Sequence, residues 1–252
     1  MNNIDSATQL EKLLTRQREF DNVIFENFEW PEHLEELKFV QCNFENIIFR
    51  ASEFLECEFS DCEFDSCRFD SAKISDCTFQ KCKFYNNDKE AGCSFKFASF
   101  PGTTFAHSDL SMCNFSRADL YRIEMDQCQA TGMDCSYATN AQSIGTAVTL
   151  NAARLSDCNF SYADFTGALL CDAELPDNRF SHAVFNNANL ENAALTDCDL
   201  HGIEARDVTL KGADIRGAMI SGLDVREIDM TGVRVSDYQQ RVLLEAIGII
   251  VD

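Results

Sequence analysis

The sequence is poor in glycine, proline and basic residues, and it has no long apolar run. Its 252 residues include 11 glycines and 3 prolines, which are too few for a loop-rich fold. Lysine and arginine together number 21 against 42 aspartates and glutamates, so the net charge is −21. No apolar stretch approaches the roughly 18 residues of a membrane span, and Met1 is followed by polar residues rather than a secretory leader. We therefore expect a cytoplasmic protein that does not contact the membrane.

The excess of acidic residues argues against two classes of partner. Duplex DNA carries one negative charge per ~1.7 Å and would repel this chain, as would an anionic membrane surface. The acids are dispersed and 45% of the residues are apolar, which distinguishes the chain from a disordered acidic tail. We expect a folded protein that does not bind nucleic acid directly.

What the sequence has instead is a repeat of five residues. Residues 57–71 read CEFSD, CEFDS, CRFDS, and residues 158–202 continue as CNFSY, ADFTG and seven further units. Each unit contains a small residue, a polar residue, a large apolar centre and two polar residues. A period of five matches neither an α-helix nor an alternating strand. It predicts a solenoid that turns a corner about once per unit, with the centre and the small residue pointing inward.

The glycines and cysteines fit this solenoid. Eight of the glycines lie two residues after a centre, where a corner needs relaxed backbone torsions. Eleven of the 13 cysteines occupy the small inward position, where a free thiol behaves as a small apolar side chain. A Cys-x4-Cys spacing is not a zinc spacing. We expect no metal and no cofactor, and because no catalytic set of side chains is recognisable, no enzymatic activity.

Interruptions of the repeat are candidates for function, because loops on a rigid scaffold often carry it. The first break, YNNDKEAG at residues 85–92, predicts an exposed loop after which the repeat resumes out of phase. The second spans residues 140–154 and preserves the phase, so it is either a projecting loop or a run of degenerate repeats. A third irregularity, at residues 29–37, contains the only tryptophan and is one residue short of phase.

The N-terminal end departs from the repeat. Ser6 can cap a short helix over residues 7–17 that places three leucines on one face. We therefore divide the chain into a helical extension at residues 1–19 and the repeats at residues 20–236.

The C-terminal end, residues 237–252, also predicts a helix, with Asp237 as its cap. A solenoid end must be covered to prevent edge pairing, and a cap alone would serve that purpose. The apolar residues of this segment exceed that need, so we favour a cap that also forms a symmetric homodimer.

The five-residue unit is the signature of the pentapeptide-repeat family, in which four units form one square coil. The stretches CKFYNNDKEAGCSF, SDLSMCNFSRADL and LDVREIDMTGVRVSDYQQRVLLEAIGI further resemble the quinolone-resistance (Qnr) proteins, over residues 39–251. This resemblance implies an all-β fold, a right-handed quadrilateral β-helix with two loops and a C-terminal α-helix.

The resemblance also implies a function and a set of residues. Qnr proteins are acidic rods that bind bacterial DNA gyrase and topoisomerase IV and protect them from quinolones. The implied partner-binding loops contain Tyr85, Asn86, Asn87, Asp88, Lys89, Glu90, Ala91, Gly92, Ser143, Ile144, Gly145, Thr146, Ala147, Val148, Thr149, Leu150, Asn151 and Arg154. The implied dimer contacts are Tyr238, Val242, Leu243, Leu244 and Ile247.

The charge of such a rod approaches that of DNA. About ten coils at the ~4.8 Å strand spacing give roughly 45–50 Å. A net charge of −21 along this length is about one charge per 2 Å, close to duplex DNA. Acids stand just before many centres, at Glu53, Glu58, Glu63, Asp109, Asp164, Glu174, Asp199, Asp214, Asp224 and Asp229. A DNA-binding groove would attract this surface.

Two departures from the Qnr pattern leave alternatives open. The chain has a longer N-terminal part, and its second loop contains no aromatic residue. Immunity to a different topoisomerase poison is therefore a variant of the same function. An interaction scaffold or effector unrelated to topoisomerases is the alternative from another class, because a fold alone does not fix function.

Overall fold

In the computed structural model, which describes residues 2–144, 148–226 and 228–251, each five-residue unit forms one side of a square coil. Residues that face each other in neighbouring coils are about twenty positions apart, as in Phe39 beside Phe59 and Phe59 beside Phe79. These pairings are parallel. The expected right-handed quadrilateral β-helix with two loops and a C-terminal α-helix is confirmed.

We number the four sides in chain order, starting from the side that contains Phe39. Side 1 holds a seven-stranded parallel sheet of β2 (Glu19–Asp21), β5 (Lys38–Val40), β8 (Glu58–Ser60), β11 (Thr78–Gln80), β14 (Thr104–Ala106), β15 (Ile123–Asp126) and β18 (Ala153–Ser156). Side 2 holds β1 (Asn2–Ile4), β3 (Val23–Glu26), β6 (Asn43–Glu45) and β9 (Glu63–Asp65). Side 4 holds β4 (His33–Glu35), β7 (Glu53–Leu55) and β10 (Lys73–Ser75).

Side 3 and the later coils are joined by single parallel bridges, such as those between Arg68 and Ser94 and between Asp164 and Val184. The remaining elements lie outside the coils or at their ends. They are β12 (Tyr85–Asn86), β13 (Ala91–Gly92), β16 (Ala141–Ile144), β17 (Val148–Asn151), α1 (Ala7–Leu14), a 3-10 turn (Asp237–Gln239) and α2 (Gln240–Ala246).

The centres fill the interior in four columns along the rod. The column of side 1 passes through Phe20, Phe39, Phe59, Phe79, Phe105, Met125, Leu155, Leu175, Leu195, Ile215 and Val235. Ring centroids in one column are 4.9 Å apart for Phe39 and Phe59 and 4.5 Å apart for Phe64 and Phe84. These distances match the ~4.8 Å between paired strands, so the backbone sets the stacking distance.

The small inward residues leave room for the centres, and their side chains also donate hydrogen bonds to backbone carbonyls. The Cys62 thiol donates to the carbonyl of Phe39 at 3.5 Å. Asn178 occupies the equivalent position on a later coil, and its amide donates to the carbonyl of Leu155 at 2.7 Å. Cysteine therefore acts here as a small apolar group that still carries a weak donor.

The cysteines are free, and all of them are buried except Cys171, which is half-buried. Burial raises the pKa of Cys198 to about 12, so this thiol remains protonated and unreactive at neutral pH. The prediction that the cysteines fill the core is confirmed for the eleven inward positions.

The corners, two residues after each centre, have the left-handed backbone that the glycine pattern predicts. Gly102 has a φ of 73° and Gly167 a φ of 64°. Most corners nevertheless carry other residues, among them Asn46 and Asp61 at φ values of 53° and 52°. Asparagine and aspartate tolerate this conformation better than most residues, which explains how the chain turns so often with few glycines.

The irregularity at residues 29–37 makes the first coil one residue shorter than the regular coil of twenty residues. Phe20 pairs with Phe39 and Phe25 with Phe44, nineteen rather than twenty positions apart. Trp30 takes the place of a centre on side 3 and is 3% exposed. The single tryptophan is therefore part of the core.

The N-terminal end is covered by α1, but the chain enters the solenoid before this helix. Strand β1 pairs with β3, so residues 2–4 belong to the coil rather than to a separate extension. The helix ends at Leu14, shorter than predicted, with Leu10 buried against the core. The Ser6 side chain makes no capping hydrogen bond; its backbone carbonyl accepts from Gln9 and Leu10 instead.

The C-terminal end is closed by Gln239, a residue whose role the sequence did not reveal. The helical segment begins after Ser236, so Asp237 is its first residue rather than its cap. Gln239 is 2% exposed, and its Nε2 donates to the carbonyls of Ile215 and Ala218 at 2.8 Å each. It thereby supplies donors that a further coil would otherwise provide.

Replacing Gln239 by leucine should destabilise the protein by about 2 kcal/mol or more, because buried carbonyls would lose their donors. Urea unfolding followed by circular dichroism measures the change. Gln240→Leu, at the exposed neighbouring position, is the matched control and should leave the midpoint nearly unchanged. Equal midpoints for both variants would contradict the role given to Gln239.

Candidate functional site

The first predicted loop is an antiparallel hairpin that projects from the corner between sides 2 and 3. Tyr85 pairs with Gly92 and Asn86 with Ala91. The Asn86 side chain accepts hydrogen bonds from the backbone N–H groups of Asp88 and Lys89, at 2.8 and 3.1 Å. Because a side chain closes the turn locally, the hairpin has a defined shape.

A lysine ties the tip of this first hairpin to the coil below. Lys89 Nζ donates to both carboxylate oxygens of Asp65, at 2.8 and 2.7 Å, and to Ser66 Oγ at 2.9 Å. Partial burial raises the pKa of Asp65, but the hydrogen bonds from Lys89 and Ser66 outweigh it, so that the pKa lies below its usual value. The hairpin tip is therefore held against side 2.

The base of the first hairpin is held against the next coil by Gly92. A Cβ at this position would lie 2.4 Å from the backbone nitrogen of Cys113 and 2.6 Å from the carbonyl oxygen of Ser111. A side chain has no space here, which explains why glycine ends the loop. The structure thus fixes this hairpin at its tip and at its base.

The second break is also a projecting antiparallel hairpin, which decides against degenerate repeats. Ala141 pairs with Asn151 and Ile144 with Val148. Gly145, Thr146 and Ala147 lie outside the described residues.

Two asparagines fix the base of this second hairpin. Asn140 is fully buried at a centre position, and its Nδ2 donates to the carbonyl of Cys171 at 2.9 Å. Asn151 Nδ2 donates to Asp172 at 2.8 Å. The asparagine at a centre position was the sequence signal for this junction.

Arg154 does not belong to the second loop, contrary to the prediction. It lies in β18 on side 1, and its Nη1 forms an ion pair with Glu174 at 2.9 Å. The hairpin has already rejoined the coil at Ala153, which pairs with Ile123. The other predicted loop residues that the structure describes lie in two hairpins, at diagonally opposite corners of the rod.

Most of the acids that precede the centres form ion pairs with basic side chains, a pairing that the sequence did not predict. Examples are Glu58 with Lys38 at 3.1 Å and Glu63 with Lys83 at 2.8 Å. The residues of this predicted row that lie within 4.0 Å of a lysine, arginine or histidine nitrogen are Glu53, Glu58, Glu63, Glu174, Asp199, Asp214 and Asp224. The free negative charge must therefore lie elsewhere.

Unpaired acids line both corners of side 1. Glu36, Glu56 and Asp76 occupy successive coils on the corner before side 1, and Asp157, Asp177 and Asp197 occupy successive coils on the corner after it. All six are exposed, and none forms an ion pair within the described part of the chain. Side 1 thus has acidic edges, each over three coils, beside a floor on which Lys38–Glu58 and Arg154–Glu174 are paired.

The C-terminal helix leaves an apolar surface at the end of the rod. Tyr238 is 68% exposed and Ile250 is 87% exposed. Val242, Leu244 and Ile247 are also exposed, whereas Leu243 packs against the solenoid core. Leu243 therefore differs from the other predicted dimer residues, since it serves the cap within one chain.

The described residues contain neither a metal-binding cluster nor a membrane-spanning helix. Within them, no three His, Cys, Asp or Glu side chains come together in a way that suits a metal ion. No helix there is long and apolar enough to cross a bilayer.

Replacing Lys89 by methionine should loosen the first hairpin and accelerate hydrogen exchange of its amides by up to about fivefold, because an exposed ion pair contributes about 1 kcal/mol or less. Exchange measured by mass spectrometry over residues 85–92 tests this. In the unmodified chain the same loosening needs strong acid: the pKa of Asp65 is depressed, so its charge is lost only below that pKa. Lys73→Met, at an exposed strand position, is the control. Equal exchange rates in both variants would contradict the role of Lys89 in holding the hairpin.

Comparison with known proteins gives consistent matches. The pentapeptide-repeat family matches in eight copies, over residues 91–127, 149–177, 163–202, 179–212 and 193–232. Over 97 residues the chain is 33% identical to the pentapeptide repeat protein QnrB4 of Escherichia coli and to the quinolone resistance pentapeptide repeat protein QnrB96 of Scandinavium goeteborgense. Each match covers 38% of this chain and 45% of the relative, so the chain spans less than half the length of these curated relatives.

The solved structures extend this similarity to most of the rod. Full-length QnrB1, described as a plasmid-mediated fluoroquinolone resistance protein, has a TM-score of 0.75 at 26% identity and covers 84% of this chain and 100% of its own. A trypsin-treated form of QnrB1 has a TM-score of 0.72 at 29% identity, over 77% of this chain and 91% of its own. HetL of Nostoc, at 16% identity, a TM-score of 0.56 and coverage of 90% and 92%, shares the fold alone. The chain is therefore a pentapeptide-repeat protein that is similar in sequence and in fold to the Qnr proteins.

Proposed function

We propose that this protein binds the bacterial type II topoisomerases DNA gyrase and topoisomerase IV where they bind DNA, and protects them from quinolones or related poisons. The observation that carries the proposal is side 1 of the rod, with its unpaired acidic edges. The relatives QnrB96 and QnrB1 are described as quinolone-resistance proteins, which supports the same drug class here. The protein acts in the cytoplasm as a binding protein, without catalysis, metal or cofactor.

Each acidic run at an edge of side 1 resembles a phosphate row in one respect, although the two runs lie on different coils, one before the middle of the rod and one after it. Each edge carries one carboxylate per coil over three coils, at the ~4.8 Å spacing of paired strands. None of the six acids forms an ion pair in the described part of the chain, and the floor cations Lys38 and Arg154 pair with Glu58 and Glu174 instead. A basic groove built for DNA would be attracted to these edges, and salt would weaken the contact.

The two hairpins supply the specific part of the interaction. The acidic edges are interrupted in the middle of side 1, where the corners carry Lys81, His107 and Arg122 instead. The second hairpin leaves the rod beside this interruption. A partner attracted by the acidic edges would therefore meet this hairpin near the middle of the rod, and the first hairpin on the diagonally opposite corner.

An interaction scaffold unrelated to topoisomerases is the second candidate. It is favoured by the HetL comparison, in which the same fold occurs in a protein involved in regulating heterocyst differentiation. The second hairpin also lacks aromatic residues, which protein interfaces often use as anchors. The two candidates differ in whether purified gyrase responds to the protein.

We also propose that two rods join end to end through the C-terminal helices. The exposed Tyr238, Val242, Leu244 and Ile247, with Ile249 and Ile250, form an apolar surface at an end of the rod that Gln239 has already closed. These side chains are therefore not needed to cap the solenoid. A two-fold contact would bury the same surface on both copies and double the length of the acidic rod.

Gyrase supercoiling with and without a quinolone, over a concentration series of the protein, tests the function. Restored supercoiling in the presence of drug is expected. Inhibition without drug would indicate simple competition with DNA, and no effect in either assay would favour the unrelated scaffold.

Removal of the hairpins tests their role without disturbing the coil. Deleting residues 86–91 leaves Tyr85 and Gly92 as the two residues after Phe84 and restores the spacing of five to Phe95. Deleting residues 142–151 does the same between Asn140 and Leu155. Each deletion should reduce protection at least tenfold while the circular dichroism spectrum is retained. Full protection by both variants would show that the hairpins are dispensable.

Ile247→Glu should convert a dimer into a monomer, because two carboxylates would face each other across the two-fold axis. Analytical ultracentrifugation measures the mass. Arg241→Glu, on the same helix at a polar exposed position, is the control. A monomeric unmodified protein, or a dimer that survives Ile247→Glu, would contradict this arrangement.

A further inference from the structure

The side opposite the acidic edges has a different surface. Side 3 is bordered by two corners that carry large side chains, in successive coils on one corner and with Gly132 between Met112 and Tyr162 on the other. Phe97, Tyr137, Met112 and Tyr162 on these corners are each more than half exposed. We call this surface the aromatic strip: Phe97, Arg117 and Tyr137 on one corner, and Met112, Tyr162 and His182 on the other.

Glycines in the next coil hold several of these side chains in place. A Cβ on Gly167 would lie 2.7 Å from the ring of Tyr137, and a Cβ on Gly132 would lie 2.5 Å from the sulfur of Met112. Tyr137 and Met112 therefore lie against backbone that carries no side chain. Such positions lose little conformational freedom when a partner covers them.

Contacts between the side chains themselves add to this order. The rings of Tyr162 and His182 are stacked, with centroids 5.2 Å apart and planes 16° apart. The guanidinium of Arg117 lies 4.9 Å from the centre of the Tyr137 ring. Tyrosine and arginine in fixed positions are the residues most often found at the energetic centres of protein interfaces.

The floor between the two corners offers little to an ionic partner. Asn114 accepts from Ser116 and donates to Asp134 at 2.9 Å, and Asp164 accepts from the backbone of Thr166 at 2.8 Å. These polar groups are thus already bonded within the rod. The negative charges of Asp134 and Asp164 are balanced by the positive charges of Arg117 and Lys96. The strip and its floor are therefore nearly neutral in a chain of net charge −21.

We propose that the aromatic strip is a second contact surface for the topoisomerase, an apolar one that fits a neutral protein surface outside the DNA-binding groove. This rests on the proposed function. Near-neutrality and exposed rings suit a folded protein rather than an anionic polymer or membrane. Continuity supports the same partner, because the first hairpin leaves the rod at the corner that Met112 continues, with Gly92 packed against Met112.

The strip therefore makes a contribution that differs physically from that of side 1. Contacts of exposed acids with a basic groove weaken as salt rises, because counterions screen them. Burial of rings and a thioether against a neutral surface does not depend on salt in this way. The two surfaces can be separated by measuring affinity at several salt concentrations.

The experiment measures binding of Tyr137→Asn/Tyr162→Asn to purified gyrase at 50, 150 and 300 mM salt, about 14, 8 and 6 Å of screening length. Asparagine suits these corners because Asn187 and Asn192 already occupy equivalent left-handed positions. We expect at least tenfold weaker binding at every salt concentration, with an unchanged slope of log affinity against log salt. Asp157→Asn/Asp177→Asn should instead reduce that slope.

Two further variants keep the test decisive. Met219→Thr removes an exposed apolar side chain on side 2 and should bind normally. Should the double tyrosine variant unfold, Phe97→Asn/Met112→Asn tests the same strip from its other end. Normal gyrase binding by a folded strip variant would overturn this inference and leave the proposed function intact. Failure of the unmodified protein to bind gyrase would overturn both.

Discussion

The backbone ladder between parallel coils is the constraint on which the rest of this structure depends. It brings residues about twenty positions apart to ~4.8 Å, and every side chain must accept that spacing. Inside, the spacing forces phenylalanines such as Phe59 and Phe79 into columns with rings 4.7 Å apart. Outside, it places equivalent residues in straight rows. One acid or one aromatic ring per coil, at the same position of the unit, is therefore enough to form a continuous row on the surface.

The same regularity makes the ends and the interruptions special. A ladder has no natural end, so the last carbonyls need donors from elsewhere. Gln239 provides them at one end, and α1 covers the other. Each hairpin is likewise inserted at a corner without disturbing the coils on either side. The scaffold thus tolerates insertions at its corners but requires specific side chains at its ends.

Opposite sides of the rod have acquired different physical character. The corners of side 1 carry free carboxylates, whereas those of side 3 carry large exposed side chains, of which Tyr137 and Met112 lie over glycines. In the proposed function the first surface provides long-range, salt-sensitive attraction and the second provides short-range burial. Such a division would let one partner be attracted from a distance and then held by contacts that salt does not screen.

The sequence alone determined the coil, because a five-residue period with centres such as Phe59 and inward Cys62 has one physical solution. It also located both interruptions, but it left the second open between a projecting loop and degenerate repeats, which the pairing of Ala141 with Asn151 decided. It did not determine which acids are free. Glu58 before a centre and Asp157 at a corner are both outward acids in the sequence, yet Glu58 meets Lys38 from the neighbouring coil while Asp157 has no ion-pair partner in the described residues. The capping role of Gln239 and the seat of Tyr137 on Gly167 were hidden for the same reason. Each depends on contacts between residues 20 to 30 positions apart, which exist only once the coils are stacked.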